Sequence, residues 1–523
     1  MRDIKRATED VAAGIHDRRV VIIGAGPAGL TAAHELAKQQ VPFVILEADN
    51  VVGGLARTVN YKGYLFDIGG HRFFTKWDEV NAIWNDVLGD KLLTRPRLSR
   101  ILYRQRYFQY PLKAREVLFG LGAAECVRIV CSYLKACLFR SANEDSLEQW
   151  VSNRFGRRLY EVFFKTYTEK VWGISCAEIR SEWAEQRIRG LSLASAVRNA
   201  ILLPRTAQPK TLINSFQYPE RGPGQMWEAM TSRLRQLGGE VLLERSVAAI
   251  VHDENGVNAV ETQGPQGLER HTGTHFISSM PIRDLVNAIN PPPPDKVRMA
   301  ATRLHYRDFL IVSLIIDRQE VMPDNWLYIH DPGVRVGRIQ NFKNWSPAMV
   351  PDPKKTCLGM EYFVFQKDDL WTMDDASLIQ LAARELEVLG LARRTEVNDG
   401  EVVRMAKAYP IYDAGYQEHI SIVRQYIEAN LPNLQLVGRN GMHKYNNQDH
   451  SMITALYAVR NILGGDHDLW AINTEPEYHE EGRSESEVRD VVESPLPPYA
   501  EPPQLATPRH AAGVQRPRKV ISE

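Results

Sequence analysis

Val20-Val21-Ile22-Ile23-Gly24-Ala25-Gly26-Pro27-Ala28-Gly29-Leu30 is the stretch that decides the fold. Four β-branched residues read as a short buried strand, Leu30 to Lys38 has helical character, and Phe43 to Leu46 is a second apolar run ending on Glu47. Together they make a βαβ unit of about 30 residues, with a GxGxxG turn where the first strand meets the helix. In such a turn Gly24 permits the sharp reversal, Gly26 lets a pyrophosphate approach the backbone, and Gly29 lets the helix pack close to the strand. Pro27 and Ala28 open the helix, whose N-terminus offers free N–H groups and positive dipole to the phosphates. Glu47 is placed to accept hydrogen bonds from the adenosine ribose. The reading is a dinucleotide-binding α/β fold.

Outward from this unit the chain alternates strand and helix at both ends, with a helix-rich block between. A strand is expected at Gln435–Val437 before Gly438, then an apolar helix from Met452 to Leu463. Short strands with an Asn255-Gly256 turn are expected over 240–280, mixed strands and turns over 305–365, and a helix at Asp375–Leu391. The nucleotide domain is therefore read as discontinuous: 18–90, 210–285 and 405–470, with a helical insertion at 91–209 and a β-rich substrate domain at 286–404. Residues 1–17 read as a flexible leader. Residues 476–523 carry eight of the 29 prolines and few aromatics, and read as a disordered tail.

Lys+Arg and Asp+Glu both number 64 in the 523 residues. With no net positive charge, a nucleic-acid partner is not expected. The five cysteines show no disulfide framework and no Cys/His spacing for zinc, so no metal is expected, and free thiols fit a cytoplasmic protein. The longest apolar run, Val117–Phe139, is broken by Glu125, Arg128 and Lys135, which argues against a membrane span. It reads as a buried amphipathic helix, with a peripheral membrane helix as the alternative.

Other segments carry a resemblance. Val52-Gly53-Gly54-Leu55-Ala56-Arg57-Thr58 resembles the second glycine motif of the FAD-binding superfamily of amine oxidases, protoporphyrinogen oxidase and UDP-galactopyranose mutase. Tyr167-Thr168-Glu169-Lys170-Val171-Trp172-Gly173 resembles a signature of the mutases. So do Gly70-His71-Arg72-Phe73, Tyr107 to Leu112, Tyr306-Arg307, Tyr409-Pro410, and Gly438-Arg439 with Lys444-Tyr445 and Asp449. The series covers most of residues 18–465. It departs from the mutases where Leu112 and Lys113 replace an asparagine, and where Asn446-Asn447-Gln448 replaces a run containing a carboxylate.

The resemblance implies a Rossmann-like FAD domain of the glutathione-reductase/amine-oxidase type. It implies FAD contacts at Gly24, Gly26, Pro27, Ala28, Gly29, Glu47, Gly54, Leu55, Arg57, Gly70, His71, Val247, Gly438, Arg439, Asp449 and Ser451. It implies a nucleotide-sugar site at Tyr167, Trp172, Arg187, Arg307, Tyr409 and Tyr445, with His71, Arg187, Arg307, Tyr409 and Tyr445 serving catalysis. The implied reaction is ring contraction or expansion of a nucleotide-diphosphate sugar, begun by N5 of reduced flavin at the anomeric carbon, with NAD(P)H as a compatible reductant and a homodimer as a compatible assembly. The alternative is an FAD oxidoreductase taking hydride from a small organic substrate, with Trp227 and the aromatic residues near 326–363 lining its pocket.

Overall fold

The computed structural model describes residues 18–110, 112, 120–181, 215–413 and 415–473. The leader, the tail and Arg187 lie outside the described residues.

Val20–Ile23 is the centre of a five-stranded parallel sheet. Its strand order is Leu434–Leu436, His275–Ser278, Val20–Ile23, Phe43–Leu46, Glu240–Leu242. All four residues of the central strand are buried, as a parallel strand covered on both faces requires. The helix Pro27–Lys38 packs against the helices Gln448–Ile462 and Gly224–Gln236. The chain leaves the central strand to one side for Phe43–Leu46 and continues on the other with His275–Ser278. The crevice beyond the strand ends at that reversal is where such sheets bind nucleotides.

A second, seven-stranded sheet runs Val397–Pro410, Tyr306–Ile316, Thr356–Val364, Arg338–Asn341, Trp326–Ile329, Ser99–Tyr103, Arg106–Gln109. The last two strands lie within the segment read as a helical insertion. Tyr306–Ile316 is buried along all eleven residues. Leu310, Val312, Leu314 and Ile316 join one core with Leu378, Ala382 and Leu386 of the helix Asp375–Val388. Phe309 and Ile311 join another with Phe66, Ile68, Trp326 and Trp345.

The pairing of Tyr306–Ile316 with Val397–Pro410 contains a bulge. Arg307 pairs with Tyr409 and Phe309 with Met405, so extra residues of the outer strand loop out around Lys407, whose φ is 56°. Asp308 pins this bulge by accepting from the backbone N–H of Lys407 at 2.7 Å and of Gln366 at 3.1 Å. Bulges of this kind re-aim side chains next to functional sites; here the bulge precedes Tyr409.

Two expectations are corrected. Ala123–Leu138 is a helix, but Ile129 is its one buried residue, so it is not a buried helix. Its outward side is apolar, a pattern that composition alone cannot tell from a core helix. Trp227 is fully buried, so it offers no exposed surface to a substrate pocket; it packs edge-on against Trp84 with ring centroids 5.9 Å apart, and donates Nε1–H to Gln448 at 3.1 Å.

Candidate active site

The glycine turn has the geometry that its residue types demand. Gly24 has φ of 99°, and its backbone N–H donates to Leu46 at 2.8 Å. At Gly29 an added Cβ would lie 1.9 Å from the Gly24 carbonyl oxygen, so only glycine allows the helix this close to the strand. Gly26 is different. Its φ of −83° and ψ of −173° are open to any residue, and an added Cβ would meet no protein atom nearer than Gly54 Cα at 3.9 Å. Nothing in the chain's own packing requires glycine there, whereas a pyrophosphate pressed against the backbone does.

Three further segments converge on this turn. Gly53 donates its N–H to the Ala25 carbonyl at 2.8 Å, which brings in Gly54 and Leu55. Glu47 accepts from the backbone N–H of Ala25 at 2.6 Å and of Asp49 at 3.0 Å, and burial raises its pKa above the usual carboxylate range. Arg245, two residues before Val247, donates its backbone N–H to the Glu47 carbonyl at 2.7 Å. Gly438, with φ of 77°, comes so near Ala28 that an added Cβ would lie 3.1 Å from that side chain; Ser451 is the next neighbour but one. Asp449 and Ser451 are buried in the first turn of the following helix. Arg57 points to a protein partner, forming an ion pair with Asp49.

The loop after Tyr64–Asp67 carries Gly69, Gly70 and His71. An added Cβ at Gly70 would lie 2.5 Å from the Trp326 indole, so the flat ring of the chain that needs this glycine is Trp326. His71 Nδ1 lies 3.1 Å from the Gly69 carbonyl. Burial, reinforced by Arg439, holds the His71 pKa down to about 3, so the ring is neutral near pH 7. Behind the loop Asp67 is fully buried and accepts from Tyr218 Oη–H at 2.5 Å and Thr58 Oγ–H at 3.0 Å. Burial pushes its pKa up to about 7.

The residues expected to hold substrate come together from distant segments. Tyr409 and Tyr445 stack with centroids 5.8 Å apart, and Trp172 lies 6.4 Å from Tyr445. Arg439 lies over both tyrosine rings, 5.4 Å and 4.8 Å from their centroids, while its guanidinium donates to the carbonyls of Asn446 and Ala408. Tyr167 stacks on His330 at 4.9 Å and meets Tyr328 edge-on at 5.5 Å. Lys170 ties this helix to the sheet by donating to the Asp331 carbonyl at 2.6 Å.

Arg307 is 5% exposed. An added Cβ at Gly173 would lie 2.3 Å from its Nη1, so Gly173 exists in part to admit the guanidinium. One nitrogen donates to the Phe363 carbonyl, and Asp368 is 3.7 Å from Nη1, but Nε and Nη1 make no hydrogen bond among the described residues. Burial lowers its pKa to about 10.

Sequence reasoning missed the residue at the centre. Arg338 pairs with the buried Glu361, donates to Tyr409 Oη at 3.2 Å, and interacts electrostatically with Tyr167 and Tyr445. Burial alone would lower its pKa; Glu361 and the three tyrosines outweigh that and hold it well above the usual value. Glu361 also accepts from Gln340. Arg338 sits alone in a short strand of no recognisable motif, and Glu361 comes opposite it only through the register of adjacent strands, which the sequence does not give.

The parallel sheet with its glycine turn, joined to a cationic, tyrosine-lined cleft on a second sheet, defines a two-part flavoenzyme architecture. Residues 27–448 match the profile of the flavin containing amine oxidoreductase family, and the chain belongs to that family. Its cofactor is FAD, and the Gly26 cradle with Glu47 and Gly438 fits that group. Among curated relatives, protoporphyrinogen oxidase 1 of Spinacia oleracea is 23% identical over 330 residues, 58% of this chain and 57% of that protein. L-amino-acid oxidase of Crotalus adamanteus is 41% identical over 70 residues, 13% of this chain and 14% of that protein. The chain thus spans little more than half the length of the first of these and a small part of the second. A crystal structure of reduced UDP-galactopyranose mutase superposes with a TM-score of 0.77 at 20% identity, covering 88% of this chain and 98% of that one. At that identity the match shows a shared fold.

Proposed function

We propose that this FAD enzyme isomerises a nucleotide-diphosphate sugar by ring contraction or expansion. The observation that carries the reading is the buried Arg307 guanidinium, admitted by Gly173 and holding two N–H-bearing nitrogens that make no hydrogen bond among the described residues. Buried donors left unpaired are costly, and charge-assisted bonds to phosphate oxygens would satisfy them. The structural likeness to a mutase supports the same direction.

When bound, reduced flavin supplies a nucleophilic N5 for the anomeric carbon. The chain's residues bind and position. Arg307 neutralises the departing diphosphate, which is electrostatic help where charge develops. Arg338 holds the Tyr409 hydroxyl by donating to it, so that hydroxyl keeps its own proton free to donate into the cleft. Burial pushes the Tyr409 pKa up to about 12, so it stays protonated near pH 7. Tyr167, Trp172 and Tyr445 offer flat faces to a base or sugar. Neutral His71 keeps a second positive charge away from the flavin loop. No Ser/His/Asp arrangement is required of the chain.

Titrating flavin-loaded protein with UDP-sugars by calorimetry tests this. Arg307→Ala should weaken binding while leaving flavin content unchanged; equal affinity removes Arg307 from diphosphate recognition.

The second reading, an oxidoreductase, is favoured by the apolar wall beside the flavin loop, where Phe309, Phe363 and Tyr409 pack with centroids within 6.2 Å and Trp326 lies on Gly70. Stoichiometric consumption of an electron acceptor with a small apolar substrate, and no affinity for nucleotides, would select it.

A further inference from the structure

The helix Ala123–Leu138 turns one side inward and an apolar side outward. Its inner side is fixed. Ile129 is buried, Ser132 Oγ accepts from the backbone N–H of Arg158 at 3.0 Å, and Glu125 pairs with the Arg158 guanidinium. An added Cβ at Gly156 would lie 2.7 Å from the Tyr133 nitrogen, so the two backbones are already in close contact. The helix therefore cannot rotate about its axis to bury its other side.

That other side holds Val127, Val130, Leu134 and Leu138, which are 62%, 46%, 53% and 77% exposed, with Phe139 at 76% just beyond the helix end. Their three- and four-residue steps make one continuous stripe. Exposed Arg128 and Lys135 flank the stripe, and exposed Arg140 follows Phe139. Arg128 and Arg140 reach Glu125 and Glu144; Lys135 makes no ion pair among the described residues. Glu125 is the helix's one acidic residue and is turned inward, its side chain 12% exposed.

We propose that this face docks on an anionic membrane surface, the helix lying in the interface with its apolar stripe at the acyl boundary and Arg128, Lys135 and Arg140 among headgroup phosphates. The charge pattern selects this occupant. A second copy paired across a twofold axis would bring the same cations toward each other with no exposed acid on the helix to meet them. A bilayer with anionic lipids complements both the stripe and its basic flank. Among the described residues no helix is long and apolar enough to cross a membrane, so the contact is peripheral.

The test is co-sedimentation of the flavin-loaded full chain with vesicles of phosphatidylcholine alone or mixed with phosphatidylglycerol, at low and high salt. Binding should require the anionic lipid and fall at least tenfold at high salt. Leu134→Gln, Leu138→Gln and Phe139→Gln combined should weaken it by about a hundredfold, at roughly tenfold or less per apolar side chain withdrawn. These side chains are exposed, so flavin content and thermal unfolding should not change, which separates lost docking from lost folding. Absence of wild-type binding to anionic vesicles, equal binding to neutral ones, or equal binding by the triple variant each overturns the proposal. So does a wild-type dimer in light scattering that the triple variant splits, because the face would then be a self-interface.

Discussion

Gly26→Val separates a glycine kept for a ligand from one kept for the fold. The backbone at Gly26 is extended, with φ of −83° and ψ of −173°, and an added Cβ has 3.9 Å to its nearest protein neighbour. The apoprotein should therefore fold with little penalty. A valine side chain would fill the space that a pyrophosphate needs and shield the helix N-terminal N–H groups. Losing two charge-assisted hydrogen bonds at about 1.5–3 kcal/mol each amounts to about 3–6 kcal/mol, or a factor of roughly a hundred to ten thousand in FAD affinity. Gly29→Ala makes the contrast, because its Cβ would lie 1.9 Å from the Gly24 carbonyl oxygen, a clash inside the fold. The assay is flavin absorbance of the purified protein alongside thermal unfolding. Gly26→Val should be colourless and folded, and Gly29→Ala should be destabilised even with excess FAD. A yellow Gly26→Val protein, or one that fails to fold, would refute the reasoning.

Other outcomes follow from buried charge. Asp67, with its pKa raised to about 7, binds its proton more tightly folded than unfolded, so its contribution is full below about pH 4 and is lost as pH rises through 7. Relative to Asp67→Asn, the wild type should lose about 4 kcal/mol over that range in urea unfolding; a pH-independent difference would contradict it. His71, held down to about 3, should show neutral-imidazole ¹⁵N shifts at pH 5, and a midpoint near 6.5 would contradict its burial. Arg338→Ala should destabilise by about 3–5 kcal/mol in chemical unfolding, because Glu361 would be left charged and unpaired; a loss under about 1 kcal/mol would show that Glu361 finds another partner.

The dinucleotide half of the fold was legible because each of its signals has a local cause. Gly24 needs positive φ, Gly29 needs contact with the preceding strand, and the β-branched run needs burial on both faces. The cleft was partly legible. Tyr167, Trp172, Arg307, Tyr409 and Tyr445 were reached only through an ordered resemblance, since their convergence depends on pairings hundreds of residues apart. Arg338 and Glu361 were not reached, because a cross-strand ion pair leaves no trace along the chain. Gly70 and Trp227 share one ambiguity: a glycine or tryptophan shows that something packs closely, not whether that neighbour is a ligand or another side chain. The helix Ala123–Leu138 shows the same ambiguity in reverse, since apolar residues at helical spacing mark a face that meets something other than water without saying what.

The central claim is that the cleft handles a nucleotide-diphosphate sugar without net redox change. Incubating the reduced, flavin-loaded protein with a panel of nucleotide sugars under anaerobic conditions tests it most directly. The account predicts a ring-isomerised product formed over many turnovers with the reductant unspent; no isomerised product from any member, with a small organic substrate reducing the oxidised flavin instead, would contradict it.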